Sequence, residues 1–230
     1  MEDKKRLKDI IDLVDKNKRV IDVGTDHGLV PLYLAKEKIS KDILATDISE
    51  KSLGKLENIL DDDLRKYIKT KVTDGFLGIE SKENQIGIIA GMGANTIIDI
   101  IDQSIDFVRK LDYLILASNV NTEKLRTYLN KKGFMIQRDF LSYENSKYYD
   151  ILKVANGDEP SLSIEEIYYP RDDIRKRTKI LEDKLKIDYR KNKDFENQIR
   201  LKSKDDQGLL RIKERLKAIE EIYRIWKLEN

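Results

Sequence analysis

Two hydrophobic periods alternate along the first two thirds of the chain. Leu7, Ile10, Ile11 and Val14 recur at three- and four-residue spacing, which predicts an amphipathic helix from Arg6 to Val14. Val20-Ile21-Asp22-Val23 is a short apolar run closed by Gly24, the pattern of a buried strand. A helix from Val30 to Glu37 follows, with Pro31 confined to its first turn, where a missing N–H is tolerated. The sequence then predicts a strand from Ile43 to Thr46 closing on Asp47, and a helix from Ser49, its cap, to Leu60. Strands from Lys69 to Thr73 and Ile86 to Ala90 close on Asp74-Gly75 and Gly91. A helix from Asn95 to Arg109, a strand from Tyr113 to Ala117 and a helix from Thr122 to Lys131 complete the alternation. Phe134 to Phe140 and Tyr148 to Val154 read as a final antiparallel pair.

Apolar strands alternating with helices imply an α/β fold, a parallel sheet covered on both faces. Ligands of such sheets bind beyond the carboxyl ends of the strands, near the topological switch point. The strand ends here carry Gly or Asp, so polar groups converge on one edge. Beyond residue 160 the pattern changes. Asp172 to about Lys202 and Asp205 to about Lys227 are charged and nearly free of breakers. Leu209, Ile212, Leu216, Ile219, Ile222 and Tyr223 form a helical stripe; Ile174, Ile180, Leu181, Leu185, Ile187 and Ile199 form a looser one. Two antiparallel helices sharing a narrow apolar seam account for both. We therefore expect one domain over residues 1–158 and a small all-α, coiled-coil-like domain over 161–230, with Asn156 to Pro160 as the hinge.

Composition narrows the chemistry. The 230 residues contain no Cys and one His, which excludes disulfides, thiolate nucleophiles and multi-histidine metal sites. A serine triad would have to use His27. No run of about 18 apolar residues exists, and the charged N-terminus lacks a secretory h-region, so a cytoplasmic protein without a membrane partner is expected. The net charge of +2 conceals an asymmetry: residues 161–230 hold 19 Lys+Arg and 15 Asp+Glu, a net of +4, leaving −2 on residues 1–160. A near-neutral total therefore does not exclude a nucleic-acid partner for the helical segment.

The first loop, Asp22-Val-Gly24-Thr25-Asp26-His27-Gly28, is neither the G-x-G-x-x-G dinucleotide fingerprint nor a phosphate loop. Its two acids suit a ligand with cationic or hydroxyl groups, and S-adenosylmethionine carries both; a purely structural turn fits the loop as well. Asp47, followed by Ile48, stands where an acid commonly binds ribose hydroxyls, or caps a helix. Asp74-Gly75 can accept from an adenine amino group, or simply turn. Ala90-Gly91-Met92-Gly93 offers free backbone groups and an adaptable apolar side chain to a flat base. Asn119 can donate to and accept from a base edge.

Taken together, these motifs resemble the bacterial tRNA adenine-N1 methyltransferase family that acts on adenosine 22 of the D-arm. The likeness is carried by Arg6-Leu7, VIDVGTDHGLVP from Val20 to Pro31, AGMG from Ala90 to Gly93, LILASNVNTEKLRTYL from Leu114 to Leu129, and KYYDILKV from Lys147 to Val154. It implies a Rossmann-like class I methyltransferase domain followed by a helical domain, with S-adenosyl-L-methionine as cofactor and tRNA as partner. Carried over, Asp22, Gly24, Thr25, Asp47, Ile48, Asp74, Gly75, Ala90, Gly91, Met92 and Gly93 bind the cofactor. Asp26, Asn119 and His27 serve catalysis, Asp26 by stabilising the positive charge the base gains. No metal is implied, and a monomer is favoured. The target base must leave its stack, and Tyr33, Phe76 or Tyr148 can receive it. Basic residues from Arg171 to Lys193 can face tRNA phosphates. Two positions depart from the family pattern: Ala94 replaces a glycine, and Ala117-Ser118 precede Asn119 where the family has Gln-Pro. They motivate a second reading, a cofactor- or RNA-binding module without catalysis; a methyltransferase for another RNA or a small molecule is the third.

Overall fold

The computed structural model describes residues 4–25, 27–202 and 206–228. One seven-stranded sheet organises the first part of the chain. Its strands are β1 (Arg19–Val23), β2 (Asp42–Asp47), β3 (Ile68–Val72), β4 (Gln85–Ala90), β5 (Tyr113–Ser118), β6 (Phe134–Glu144) and β7 (Lys147–Asn156). Their order is β3-β2-β1-β4-β5-β7-β6. The first five run parallel; β7 pairs antiparallel with both β5 and β6. The Rossmann-like α/β expectation is met. After β1 the chain moves outward to β2 and β3, then returns to β4 on the other side of β1. The switch point thus lies between β1 and β4, where loops diverge and leave a crevice.

Strand alternation feeds two cores. Val20, Ile43, Ile86, Ile88 and Ile115 meet α1 (Lys5–Ile11), α2 (Leu29–Lys36) and α3 (Glu50–Glu57) on one face. Ile21, Val23, Ile89, Leu114 and Leu116 meet α5 (Ala94–Gln103), α6 (Ile105–Val108) and α7 (Thr122–Lys131) on the other. A short α4 (Asp62–Arg65), capped by Asp61, adds Leu64 to the first core. The helix expected from Asn95 to Arg109 divides at Ser104, whose backbone leaves the helical region.

The helical part comprises α8 (Ile164–Tyr168), α9 (Arg171–Lys176), α10 (Lys179–Lys202) and α11 (Asp206–Leu228). The expected start of the last helix at Asp205 lies outside the described residues. The helix expected from Asp172 onward is broken at Arg177, which adopts a left-handed φ of 49°. This part is not loosely appended. Leu141 of β6 is buried with Tyr169, Ile174, Leu181, Leu185, Ile219 and Ile222 in a third core, against which Tyr148 of β7 packs. The Asp173 carboxylate accepts from Leu141 N–H at 2.6 Å, and Arg171 donates to the Ile136 carbonyl at 2.5 Å. The segment expected as a hinge is fastened too: Glu159 pairs with Arg171 at 2.9 Å, and the Pro160 carbonyl accepts from Asn130.

Beneath that junction lies a buried ion cluster. Arg126 of α7 is 0 % exposed. Its guanidinium donates to both oxygens of Asp139 at 2.9 and 2.8 Å, and to Asp150 at 2.5 Å. Burial alone lowers an arginine's pKa, but the two carboxylates overcome that and hold Arg126 cationic.

Candidate functional site

The crevice at the switch point is a cleft of about 580 Å³. The ends of β1, β2, β3 and β4 supply one wall each. From the β1 loop come Asp22, Gly24, Thr25 and His27; from β2, Asp47 and Ile48; from β3, Thr73, Asp74 and Gly75; from β4, Ala90, Gly91 and Met92. Eleven of the residues expected at the site therefore line one cavity, although they span seventy positions of sequence. Asp26 lies outside the described residues. Gly93 and Asn119 are not part of the lining: Gly93 opens α5, and Asn119 is exposed on the loop after β5. That loop abuts the glycine turn, since Ala94 N–H donates to the Val120 carbonyl at 3.1 Å.

Local chemistry explains the shape. Gly24 N–H and Thr25 N–H both donate to the Thr46 carbonyl, at 2.8 and 3.0 Å, so the chain must turn sharply after β1. Gly24 does so at φ +72°, and a Cβ there would sit 2.1 Å from Met92 Cε. Met92 thus packs across Gly24 while it lines the cleft. Gly91, at φ +83°, leaves open space above the backbone.

The acids are held differently. Asp22 is 4 % exposed and accepts from Thr25 Oγ1 at 2.6 Å. Burial pushes its carboxyl up to about 6; the Thr25 hydrogen bond opposes this and the charge of Asp47 adds to it. Among the described residues no cation pairs with Asp22, and a buried carboxylate so placed is suited to receiving a cation from a ligand. Asp47 Oδ1 accepts from Ser49 N–H at 2.8 Å, so the carboxylate also fixes the turn into α3. Ile48 beside it is 74 % exposed at the mouth.

Several lining residues were not expected from their surroundings. Arg6, Leu7 and Ile10 arrive from α1, and Thr96, Asp99, Ile100 and Gln103 from α5. The α5 set recurs at three- and four-residue spacing, a helical face that sequence could have revealed. Of the aromatics considered for stacking, Phe76 is core, stacked on Phe107 at 5.4 Å between ring centroids. Tyr148 packs against Tyr143 and under Lys184, and Tyr33 is exposed on α2. Among the described residues no group of His, Asp or Glu is arranged to hold a metal ion, and no helix is long and apolar enough to cross a membrane.

A second concavity, about 470 Å³, runs between α10 and α11, lined by Lys186, Tyr189, Arg190, Glu220, Tyr223, Arg224 and Lys227. Several of the basic residues read as an RNA face are engaged internally: Lys179 with Asp183, Lys184 with Asp188, Lys186 with Glu182, Lys193 with Glu196. Among the described residues Arg175, Lys176, Arg190 and Lys191 make no ion pair.

Known proteins share this arrangement. A family model described as a methyltransferase domain matches residues 3–152. The tRNA (adenine(22)-N(1))-methyltransferase of Bacillus subtilis is 25% identical over 155 residues, 67% of this chain and 65% of that protein. The chain thus aligns with a little under two thirds of that relative's length. The crystal structure of the B. subtilis m1A22 tRNA methyltransferase TrmK superposes with a TM-score of 0.83 at 22% identity, covering 95% of this chain and 97% of that one. M. capricolum TrmK, solved with S-adenosyl-homocysteine, gives 0.79 at 23% identity, covering 94% and 95%. At these identities the structures establish a shared fold, and their coverage takes in the helical part as well as the sheet.

Proposed function

The chain belongs to the methyltransferase-domain family, and from that premise we propose that it transfers a methyl group from S-adenosyl-L-methionine to N1 of adenosine 22 in the D-arm of tRNA. One observation carries the reading: four consecutive parallel strands each deliver an acid or a glycine turn to a single cleft at the switch point. The lining fits the cofactor. Asp22 takes its cationic end, Asp47 its ribose and Asp74 its adenine amino group, while Gly24, Thr25, Gly75 and Gly91 allow close backbone approach and Ile48, Ala90 and Met92 give apolar contact. When bound, the cofactor supplies an electrophilic methyl group on a sulfonium.

Adenine N1 carries an in-plane lone pair, so no residue has to remove a proton before attack. The chain's work is to hold the extruded base and to offset the positive charge the ring gains. We assign the base edge to Asn119 and Gly93 on the two adjoining loops, and charge stabilisation to Asp26, with His27 at the cleft wall beside it. Neither departure from the family pattern puts a side chain into the cleft lining. The Ala94 side chain is fully buried beneath the loop and does not enter the cleft. Ser118 Oγ bonds the Val120 carbonyl at 3.2 Å and so braces the loop that bears Asn119.

Residues 161–230 act in this reading as a tRNA-contacting domain, with the α10–α11 groove facing phosphates. A cytoplasmic location follows from a tRNA substrate. Changing Arg190 and Lys227 together to Glu is expected to weaken tRNA binding roughly tenfold or more and to flatten its salt dependence. Filter binding at several salt concentrations measures this, and the Kd for the cofactor is expected to be unchanged.

The raised Asp22 pKa gives a second expectation. The folded state holds this proton more tightly than the unfolded chain does. The group's contribution to stability is therefore full below about 4 and is lost as pH rises through about 6. Cofactor binding has the opposite preference, because it needs the carboxylate. Calorimetric affinity is expected to fall as pH drops below about 6, and Asp22→Asn is expected to be weak at every pH.

The reaction is tested by incubating the protein with unmodified transcribed tRNA and methyl-labelled cofactor, then digesting to nucleosides. Label in 1-methyladenosine is expected. Label in another nucleoside, or bound cofactor with no transfer, contradicts the proposal, and the latter favours the binding-module reading.

A further inference from the structure

The cleft's charges are unbalanced in a way that singles out Arg6. Four described lining residues are carboxylates, Asp22, Asp47, Asp74 and Asp99, and Arg6 is the sole arginine or lysine among them. S-adenosyl-L-methionine, whose binding is the reading this inference rests on, ends in an α-ammonium and a carboxylate. The acids suit the ammonium, the ribose and the adenine. None suits the carboxylate, which they repel.

Arg6 is built into place from far away in sequence. Ile10 and Ile11 bury the inner face of α1 at 2 % and 3 % exposure, so the helix is anchored on the sheet. The Arg6 backbone N–H donates to Glu144 Oε2 at 2.9 Å, fixing the helix start to the β6–β7 hairpin. The guanidinium carbon lies 4.5 Å from the centroid of the Tyr149 ring. Its approach to Glu144 is loose, 3.9 Å from Nε to Oε1, beyond hydrogen-bond length. Among the described residues the guanidinium makes no hydrogen bond, although its side chain is only 28 % exposed. A guanidinium held over an aromatic ring, with its N–H groups unbonded, has donors left for a planar, bidentate partner. A carboxylate is that partner.

We propose that Arg6 binds the carboxylate of the cofactor's methionyl end and is the residue that makes this acidic cleft accept a zwitterion. The assignment predicts a preference with a definite sign. Decarboxylated S-adenosylmethionine lacks only the carboxylate and is the more cationic compound. Four acids acting without Arg6 would favour it; with Arg6 engaged, the intact cofactor binds more tightly.

The test is calorimetric binding of both compounds to the full chain, with no turnover involved. Wild type is expected to bind S-adenosyl-L-methionine at least tenfold more tightly than the decarboxylated form. Arg6→Gln is expected to abolish or invert that ratio by weakening the intact cofactor alone, and Arg6→Lys to retain most of it. A wild-type ratio near one overturns the assignment without any variant, as does a wild-type ratio preserved in Arg6→Gln. If wild type binds neither compound, the cofactor reading itself has failed. Tight binding of the intact cofactor with an unaltered ratio in Arg6→Gln means that only the role of Arg6 has failed.

Discussion

Gly24→Ala is expected to weaken cofactor binding sharply while the sheet stays folded. The substituted residue would have to hold φ +72° and place Cβ 2.1 Å from Met92 Cε. The left-handed region costs an L-residue about 1–2 kcal/mol, and the clash adds to it. The backbone has little room to relax, because Gly24 and Thr25 both donate to the Thr46 carbonyl. Any shift carries Thr25 with it, and Thr25 Oγ1 is the hydrogen-bond partner of Asp22. One methyl group thus displaces three elements of the cleft. Calorimetry is expected to give a Kd higher by roughly thirtyfold or more, about 2 kcal/mol, with a melting temperature lower by only a few degrees, about 5 °C. Met92→Ala in the same chain removes the clash but not the strain, and is expected to restore binding in part. A Kd for Gly24→Ala within threefold of wild type would show that the turn does not shape the site.

Arg126→Met is expected to have the largest effect on stability. The substitution leaves Asp139 and Asp150 buried without their cation, and breaking a buried ion pair in this way costs about 3–5 kcal/mol. For a chain of 230 residues that is a fall in melting temperature of roughly 10 °C. The direction is checked by a compensated variant. With Asp139→Asn and Asp150→Asn added, no uncompensated charge remains, and part of the loss is expected to return. The cluster also joins α7 to the helical part, because Arg126 reaches the Ile167 carbonyl at 3.5 Å and Arg171 N–H donates to Asp139 at 3.3 Å. Melting followed by tryptophan fluorescence reports on that junction, since the one tryptophan, Trp226, donates from its ring to the Ile174 carbonyl.

What could be read from the sequence was what is set locally. A glycine or aspartate that ends an apolar run marks a strand end whatever the rest of the chain does, so the walls of the cleft at Gly24, Asp47, Asp74 and Gly91 were legible. Features set by tertiary packing were not. Arg177 breaks a long helix in a left-handed conformation with no glycine or proline to announce it. Phe76 follows Asp74-Gly75 and looked available for stacking, yet α6 brings Phe107 against it and closes it into the core. Arg6 reaches the cleft only because Ile10 and Ile11 dock α1 on the sheet. The tail reads as a small domain with its own apolar seam, whereas Leu141 and Tyr148 extend its core into the β6–β7 hairpin. Deleting residues 161–230 would therefore uncover apolar surface, and charge changes on α10 and α11 test RNA contact more cleanly.

The position of methylation is the central claim, and one comparison tests it most directly. Two transcripts of the same tRNA, identical except that one carries A22 and the other G22, are incubated with the full chain and methyl-labelled S-adenosyl-L-methionine. Label is expected in the A22 transcript as 1-methyladenosine and at background in the G22 transcript. Equal labelling of the two would contradict the account.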